Sequence, residues 1–148
     1  ADGSGGDTLI LPAGGSKKPS SLETVKDRDH FLKMDGREVF KFAARKMPEA
    51  TKNALDKANL DITDLDYLIP HQANLRIIDA AAKKLKMNRD NILVTLDKYG
   101  NTSSASIPVC LDESVRDGRI KKGDNVVLVA FGAGLTWGSV AIKWSKED

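Results

Sequence analysis

The chain has 148 residues, of which 41% are hydrophobic and 30% are charged. This size and composition predict a single globular domain over residues 1–148 with a buried core, and they exclude a chain too polar to fold. The 23 basic and 21 acidic residues leave a net charge of +2, which gives no basis for binding nucleic acid or a membrane through overall charge.

The sequence also lacks the signals of a membrane or secreted protein. No apolar run approaches the roughly 18 residues that a membrane span requires, and residues 1–7 carry no pattern of a secretory signal. A single cysteine, Cys110, excludes an internal disulfide and is typical of a reducing compartment. We therefore expect a cytoplasmic protein.

The first third of the chain predicts a short strand and an interrupted helix. Residues 8–11 form the strand candidate, and the Pro-, Gly-, Ser- and Lys-rich residues 12–21 predict a loop. A helical pattern of apolar residues begins at Gly36. We expect it to stop and restart at Pro48, because proline suits the first turn of a helix and disrupts its interior.

Strand-like runs followed by helical patterns fill the middle of the chain. The strands are expected at 66–69 and 91–96, and the helices at 74–86 and 103–117. The second of these helices should end at Gly118, and Pro108 fits it only near the first turn.

The chain closes with two strand candidates, 126–131 and 136–144, joined by Gly132-Ala133-Gly134 as a hairpin. The element order βα, βα, βα, ββ predicts an α/β fold. The glycine-containing corner is not a dinucleotide-binding loop, because such a loop must open a helix and here a strand follows. A close backbone approach is the better explanation.

Two polar residues follow the two middle strands. His71 comes after the first and Asn101 after the second. Because strand carboxyl ends face the crevice where open α/β sheets bind ligands, we expect both side chains in one pocket. From the residues alone, alternatives remain: His71 could be an ordinary hydrogen-bonded histidine, and Asn101 a turn residue after glycine.

Three motifs carry a family resemblance: HQANLRII at 71–78, GNTSSAS at 100–106 and FGAGLTWG at 131–138. Together they resemble the carboxyl-terminal half of β-ketoacyl-acyl-carrier-protein synthase III, over nearly the whole chain. The resemblance implies a thiolase-like half-domain, a mixed five-stranded sheet with helices on its faces. In that family the nucleophilic cysteine belongs to the amino-terminal half, so the resemblance implies that it lies outside this chain.

The resemblance also implies an activity. Such enzymes are acyltransferases that condense an acyl-coenzyme A primer with malonyl-acyl carrier protein, with loss of carbon dioxide, to initiate fatty-acid biosynthesis. It implies that His71 and Asn101 are catalytic, donating hydrogen bonds to the enolate oxygen. No bound cofactor or metal is implied. The implied partners are acyl carrier protein, acyl-coenzyme A, the amino-terminal half and, in the complete enzyme, a second copy. The isolated chain is expected to be inactive.

Further site residues follow from the same motifs. The resemblance implies that the backbone N–H of Ala133, where many members carry glycine, faces the thioester oxyanion. Phe131 would form a wall of the pocket, although a core aromatic residue at a strand end is an equal alternative. Cys110 has no neighbouring cation in sequence, so we expect a buried structural thiol.

Basic residues form the last group. Arg76 and Lys83 share a face of one helix, with Lys84 beside them, and Lys41 lies on the first helix. A solvated helix face explains them without function, whereas the resemblance implies that all four dock the acidic carrier protein. Asn74 is implied as a contact of the pantetheine arm, with helix N-capping as the alternative.

Two other functions stay open. The chain could be a non-catalytic module that only binds carrier protein or a partner half. It could also belong to a related acyltransferase that makes another ketide or a quinolone, with the same catalytic residues and a different acyl pocket.

Overall fold

The computed structural model describes residues 1–147. They form two compact units: Ala1–Phe42 together with Gly132–Thr136, and Ala43–Phe131 together with residues 137–147. Within these residues no helix is both long enough and apolar enough to cross a membrane.

The first unit contains short elements. They are a 3-10 turn at Gly3–Thr8, strand β1 at Leu9–Ile10, helix α1 at Leu22–Lys26, strand β2 at Lys33–Met34 and the first turns of helix α2, which spans Gly36–Lys57. Strand β1 pairs antiparallel with β2, so the strand predicted at 8–11 is present in shortened form. Helix α1 and strand β2 were not predicted.

An ion-pair cluster ties the first unit together. Asp29 is buried, and its two carboxylate oxygens each lie 2.6 Å from a lysine, Lys18 in the loop and Lys33 in β2. The hydrogen bonds from Lys18 and then Lys33 lower the pKa of Asp29 to about 2. The loop predicted at 12–21 is therefore fixed at one point by charge.

The predicted interruption of the first helix at Pro48 is wrong. Helix α2 is continuous, with Pro48 inside it, although proline removes one backbone hydrogen bond. An apolar stripe explains why the helix continues, because its members on both sides of Pro48 are buried: Ala43, Met47, Ala50 and Ala54. Burial of that stripe outweighs the missing hydrogen bond.

The second unit is built on a three-stranded sheet. Strand β3 (Tyr67–Pro70) pairs in parallel with β4 (Asn125–Gly132), with Tyr67 opposite Val126 and Pro70 opposite Val129. Strand β5 (Thr136–Lys143) follows after the predicted glycine-rich turn and completes the order β3-β4-β5. The α/β class is confirmed, and the five strands are divided into sheets of three and two.

The second strand expected in the middle of the chain, at 91–96, is wrong. This segment makes a single parallel bridge, Leu68 to Ile92, and the N–H of Leu93 donates to the carbonyl of Leu68 at 2.9 Å. Two features stop the ladder there. Pro70 ends β3 without an N–H to donate, and a helical turn begins at Leu96.

Two helices of the second unit agree with the sequence pattern: α3 at Leu75–Leu85 and α5 at Ser106–Arg116, the latter preceded by a 3-10 turn at Ser103–Ala105. The short helix α4 at Leu96–Tyr99 was not predicted. Pro108 lies in the first turn of α5 as predicted. Gly118 ends that helix with a positive φ of 67°, which glycine adopts without steric cost.

A tightly packed core joins this sheet to its helices. Five fully buried side chains form the cluster that packs α5 against β3 and β4: Ile69, Leu93, Cys110, Ile120 and Val126. The carboxyl end of β3 and the amino end of α5 are consequently held at fixed positions, and the candidate site is built on these two ends.

Candidate active site

His71 occupies the first position after strand β3. Its backbone N–H donates to the carbonyl of Val129 at 2.8 Å, so the main chain is anchored to β4. Its ring Nδ1 lies 2.6 Å from the hydroxyl oxygen of Ser106, and the ring packs edge-on against Phe131 with centroids 5.7 Å apart. His71 is therefore in contact with Phe131, and the ring is fixed from two sides.

Burial sets the charge of this histidine. The side chain is half-buried, and the loss of solvation lowers the pKa of His71 below its ordinary value. At neutral pH the imidazole is neutral, with one N–H donor and one acceptor nitrogen. A neutral N–H donor suits a site where negative charge develops on an oxygen.

Gln72, the next residue, holds the segment that fails to form a strand. Its side chain is almost fully buried, with 1% exposed. The amide nitrogen donates to the carbonyls of Pro70 at 2.7 Å and Leu93 at 3.4 Å, and the amide oxygen accepts from the N–H of Thr95 at 3.0 Å. This side chain thus takes the place of the backbone bonds that a longer strand would have made.

Asn101 lies on an exposed loop between α4 and the 3-10 turn that leads into α5. Its Oδ1 accepts a hydrogen bond from the backbone N–H of Ser103 at 3.1 Å. The Nδ2 amide is then the end of the side chain that can donate to a ligand. Because α5 begins at Ser106, the Ser106–His71 contact holds this loop and the His71 turn to one another through a short stretch of chain.

The other end of the Asn101 loop is also anchored. Glu113 on α5 accepts a hydrogen bond from the hydroxyl of Tyr99 and lies 3.1 Å from the ammonium group of Lys98. The Tyr99 bond, followed by that of Lys98, lowers the pKa of Glu113. Helix α4 is thereby attached to α5 directly before Gly100 and Asn101.

The turn containing Ala133 belongs to the first unit. Ala133 is exposed there, between Gly132 at the end of β4 and Gly134. Gly134 has a φ of 141°, and a side chain at that position would lie 3.0 Å from the backbone nitrogen of Thr136. The turn therefore requires glycine at 134, whereas position 133 tolerates the alanine found here.

Cys110 is fully buried on α5, which confirms the predicted buried thiol. Burial raises the pKa of the Cys110 thiol, and hydrogen bonds with Thr95 and Ser114 only partly offset this. A neutral thiol inside the core is a poor nucleophile.

The basic residues differ in how strongly their charge is offset. Arg76, Lys83 and Lys84 are exposed on α3, and the charge of Lys84 contributes to the lowered pKa of Glu49, after the larger effect of Lys46. Lys41, in the first unit, pairs with Glu38 at 2.7 Å, and that bond raises the pKa of Lys41.

Asn74 is the N-cap of helix α3. Its Oδ1 accepts from the backbone N–H of Arg76 at 2.8 Å, which confirms the alternative stated for it from sequence. Its Nδ2 group carries the remaining donors, so capping leaves a ligand contact possible.

No group of three or more histidine, cysteine, aspartate or glutamate side chains within residues 1–147 is arranged to hold a metal ion.

Sequence reasoning missed two site residues, Ser106 and Gln72. Both lie inside the motifs at 71–78 and 100–106, and both are buried polar residues. The helical spacing of Ser106, Cys110 and Ser114 was the available signal, because all three are buried on one face of α5. Gln72 lies in a turn, so no periodic spacing in the sequence indicates that it is buried.

Comparison with known proteins shows which family this chain resembles. Residues 55–144 match the family described as 3-oxoacyl-acyl-carrier-protein (ACP) synthase III C terminal. The chain is 58% identical over 145 residues to the β-ketoacyl-acyl-carrier-protein synthase III of Clostridioides difficile, which covers 98% of this chain and 44% of that protein. The chain thus spans less than half the length of this curated relative.

Solved structures give the same result. The synthase III of Thermus thermophilus is 47% identical, with a TM-score of 0.83 over 97% of this chain and 44% of that one. The priming β-ketosynthase of the R1128 polyketide pathway is 34% identical, with a TM-score of 0.82 over 99% of this chain and 43% of that one. These neighbours confirm the thiolase-like fold. The family match extends over more than half of the chain, and this chain therefore belongs to the family of 3-oxoacyl-acyl-carrier-protein synthase III carboxyl-terminal domains.

Proposed function

We propose that this chain is the carboxyl-terminal half of an acyltransferase that condenses an acyl-coenzyme A primer with malonyl-acyl carrier protein in the initiation of fatty-acid biosynthesis. The observation that carries the proposal is the half-buried His71, fixed at the end of β3 by Ser106 and Phe131. Relatives of this chain are named β-ketoacyl-acyl-carrier-protein synthase III.

The chemistry requires a place for negative charge. When the malonyl thioester loses carbon dioxide, the carbon–carbon bond breaks and its electron pair passes into the thioester carbonyl to form an enolate. His71 and the Nδ2 amide of Asn101 donate hydrogen bonds to that enolate oxygen. Fixed donors stabilise it without reorganisation at the moment of reaction.

A new carbon–carbon bond then forms. The enolate carbon attacks the carbonyl carbon of the acyl group on the cysteine of the amino-terminal half, and the cysteine thiolate leaves. In this scheme the backbone N–H of Ala133 donates to the oxygen of the acyl thioester, and Phe131 shields the acyl pocket from water. Cys110 takes no part, because its thiol is buried and neutral.

Docking of the carrier protein is assigned to the basic residues. Arg76 is the main contact, because its guanidinium group is exposed at the start of α3, directly after the His71 turn. Lys83, Lys84 and Lys41 add positive charge, the last with its charge offset by Glu38. Asn74 contacts the pantetheine arm through the amide end that capping leaves available.

The complete enzyme is proposed to contain an amino-terminal half with the nucleophilic cysteine, to form a homodimer and to act in the cytoplasm without a bound cofactor or metal. A related ketide-forming enzyme is the second candidate, because the priming ketosynthase of a polyketide pathway is among the similar structures. The two differ in acyl pocket and product.

One assay separates these functions. The full-length protein is supplied with acyl-coenzyme A and malonyl-acyl carrier protein, and the product is identified by mass spectrometry. We expect a β-ketoacyl carrier protein from the full-length protein and none from the isolated 148-residue chain. A free ketide or quinolone product would support the second candidate. Carrier-protein binding without condensation would support a non-catalytic module and contradict the proposal.

A further inference from the structure

Ser106 is a buried polar residue that touches the proposed catalytic histidine. Its side chain is 2% exposed at the first turn of α5. The hydroxyl oxygen lies 2.6 Å from Nδ1 of His71, and it accepts a weaker hydrogen bond from the backbone N–H of Gln72 at 3.3 Å. Within residues 1–147, the side-chain hydrogen bonds of Ser106 are these two.

These contacts decide which group donates. A serine hydroxyl has one proton to donate and two lone pairs that accept. If Nδ1 of His71 carried the ring proton and donated it to Ser106, the hydroxyl proton would have no acceptor among the described residues. A buried donor left without an acceptor is costly. If the hydroxyl donates to Nδ1, the hydroxyl proton and Nδ1 are both satisfied, and the ring proton is on Nε2.

We propose that Ser106 is a positioning residue that orients the imidazole of His71 and keeps its proton on Nε2, the nitrogen that faces away from Ser106. The catalytic value of this arrangement rests on the proposed function, because it makes Nε2–H the donor to the enolate oxygen. The position of the proton itself does not depend on that function.

Burial lowers the pKa of His71, and the hydrogen bonds of Ser106 favour the neutral ring independently. A doubly protonated ring would direct an N–H toward a hydroxyl that already accepts from Gln72, and would leave the hydroxyl proton without an acceptor. Ser106 therefore favours the neutral ring as well as one tautomer of it. The edge-on contact with Phe131 fixes the ring plane but cannot choose between the two nitrogens.

The test combines a structural and a kinetic readout in the full-length protein. Nitrogen-15 NMR of histidine-labelled protein reports which ring nitrogen is protonated, and the His71 signal is assigned by its loss in His71→Ala. The variants are Ser106→Ala, which removes the hydroxyl, and Ser106→Thr, which retains it. Ser114→Ala is the matched control, because Ser114 is also a buried serine on α5 and has no contact with His71.

We expect the wild-type ring to be protonated at Nε2. Ser106→Ala should give a mixture of tautomers and decrease the rate of decarboxylation of malonyl-acyl carrier protein by about tenfold, the usual effect of losing one hydrogen bond. Acyl transfer from acyl-coenzyme A should change less. Ser106→Thr should restore the wild-type tautomer, and Ser114→Ala should leave tautomer and rate unchanged.

A wild-type ring protonated at Nδ1 overturns the proposal without any variant. So does an unchanged tautomer and rate in Ser106→Ala. Failure of the proposed function is recognised separately: the NMR result would hold as expected, while His71→Ala decarboxylated malonyl-acyl carrier protein at the wild-type rate.

Discussion

The turn at His71 and helix α3 adjoin one another in sequence, yet their polar side chains are held in opposite ways. At the turn, the side chain of His71 is held by a partly buried hydrogen bond and that of Gln72 by buried ones, and none of their partners is charged. On α3, Arg76 and Lys83 are exposed, and within residues 1–147 their side chains form no ion pair. Stabilising an enolate needs donors at fixed positions, whereas attracting an acidic partner needs charge that remains in solvent.

The largest expected effect comes from removing the fixed donors. His71→Ala and Asn101→Ala in the complete enzyme should each slow release of carbon dioxide from malonyl-acyl carrier protein by roughly a hundredfold to a thousandfold. The double variant should lose less than the product of the two effects, because both donors serve one oxygen. Fully multiplicative effects would contradict a shared oxygen. Circular dichroism checks that each variant is folded.

The next largest effect concerns Gln72, which holds the chain next to His71 in place. Gln72→Leu leaves the N–H of Thr95 and the carbonyls of Pro70 and Leu93 without their partner. We expect the free energy of unfolding to fall by about 2 to 3 kcal/mol, measured by urea denaturation.

Thr51→Val is a suitable control for Gln72→Leu. Thr51 is equally buried, but its hydroxyl bonds only to Met47 in its own helix. We expect a loss of less than about 1 kcal/mol, because the carbonyl of Met47 keeps its helical partner. Equal losses in the two variants would mean that Gln72 is an ordinary core residue.

The contrast between the two regions also explains what the sequence could predict. Helix α3 was predicted from its apolar spacing, a local signal, and its cap Asn74 was given as an alternative role. The segment at 91–96 was assigned wrongly as a strand, because its apolar run is continuous. One feature that ends the pairing, Pro70, lies on another strand, and the bonds from Gln72 that hold the segment are also distant in sequence. Motif resemblance predicts that His71 and Asn101 are catalytic, but it does not predict the contact of His71 with Ser106, because these residues lie far apart in sequence.

A smaller effect is expected from the exposed residues of helix α3. Arg76→Glu in the complete enzyme should decrease kcat/KM for malonyl-acyl carrier protein by about tenfold, and the loss should shrink at high salt because exposed charges are screened. Acyl transfer from acyl-coenzyme A should be nearly unchanged. An equal loss in both half-reactions would show that Arg76 supports the fold instead.

The control for Arg76 is the same charge change at a distant site. Lys121 is exposed before the start of β4, whereas the carbonyl that anchors His71, that of Val129, lies near the other end of that strand. Lys121→Glu should leave kcat/KM for the carrier protein unchanged. A decrease similar to that of Arg76→Glu would indicate a response to net charge alone.

The smallest expected effect is a dependence of stability on pH. Burial lowers the pKa of His71 in the folded chain, so the unfolded chain binds a proton first as the pH decreases. The free energy of unfolding should therefore fall as the pH drops below the ordinary histidine pKa of about 6.5, until the lowered pKa is reached. His71→Asn should remove this part of the slope in urea denaturation measured from pH 7 to pH 5. An unchanged slope would mean that His71 is not held neutral.

The central claim is that His71 donates to the enolate of decarboxylation and does not activate the partner-half cysteine. The most direct measurement compares the two half-reactions in the His71→Ala form of the complete enzyme: carbon dioxide release from malonyl-acyl carrier protein, and acyl transfer from acyl-coenzyme A to the enzyme. We predict that carbon dioxide release falls by at least about a hundredfold while acyl transfer is largely retained. Loss of acyl transfer alone, with carbon dioxide released at the wild-type rate, would contradict the account and make His71 the base that activates the cysteine.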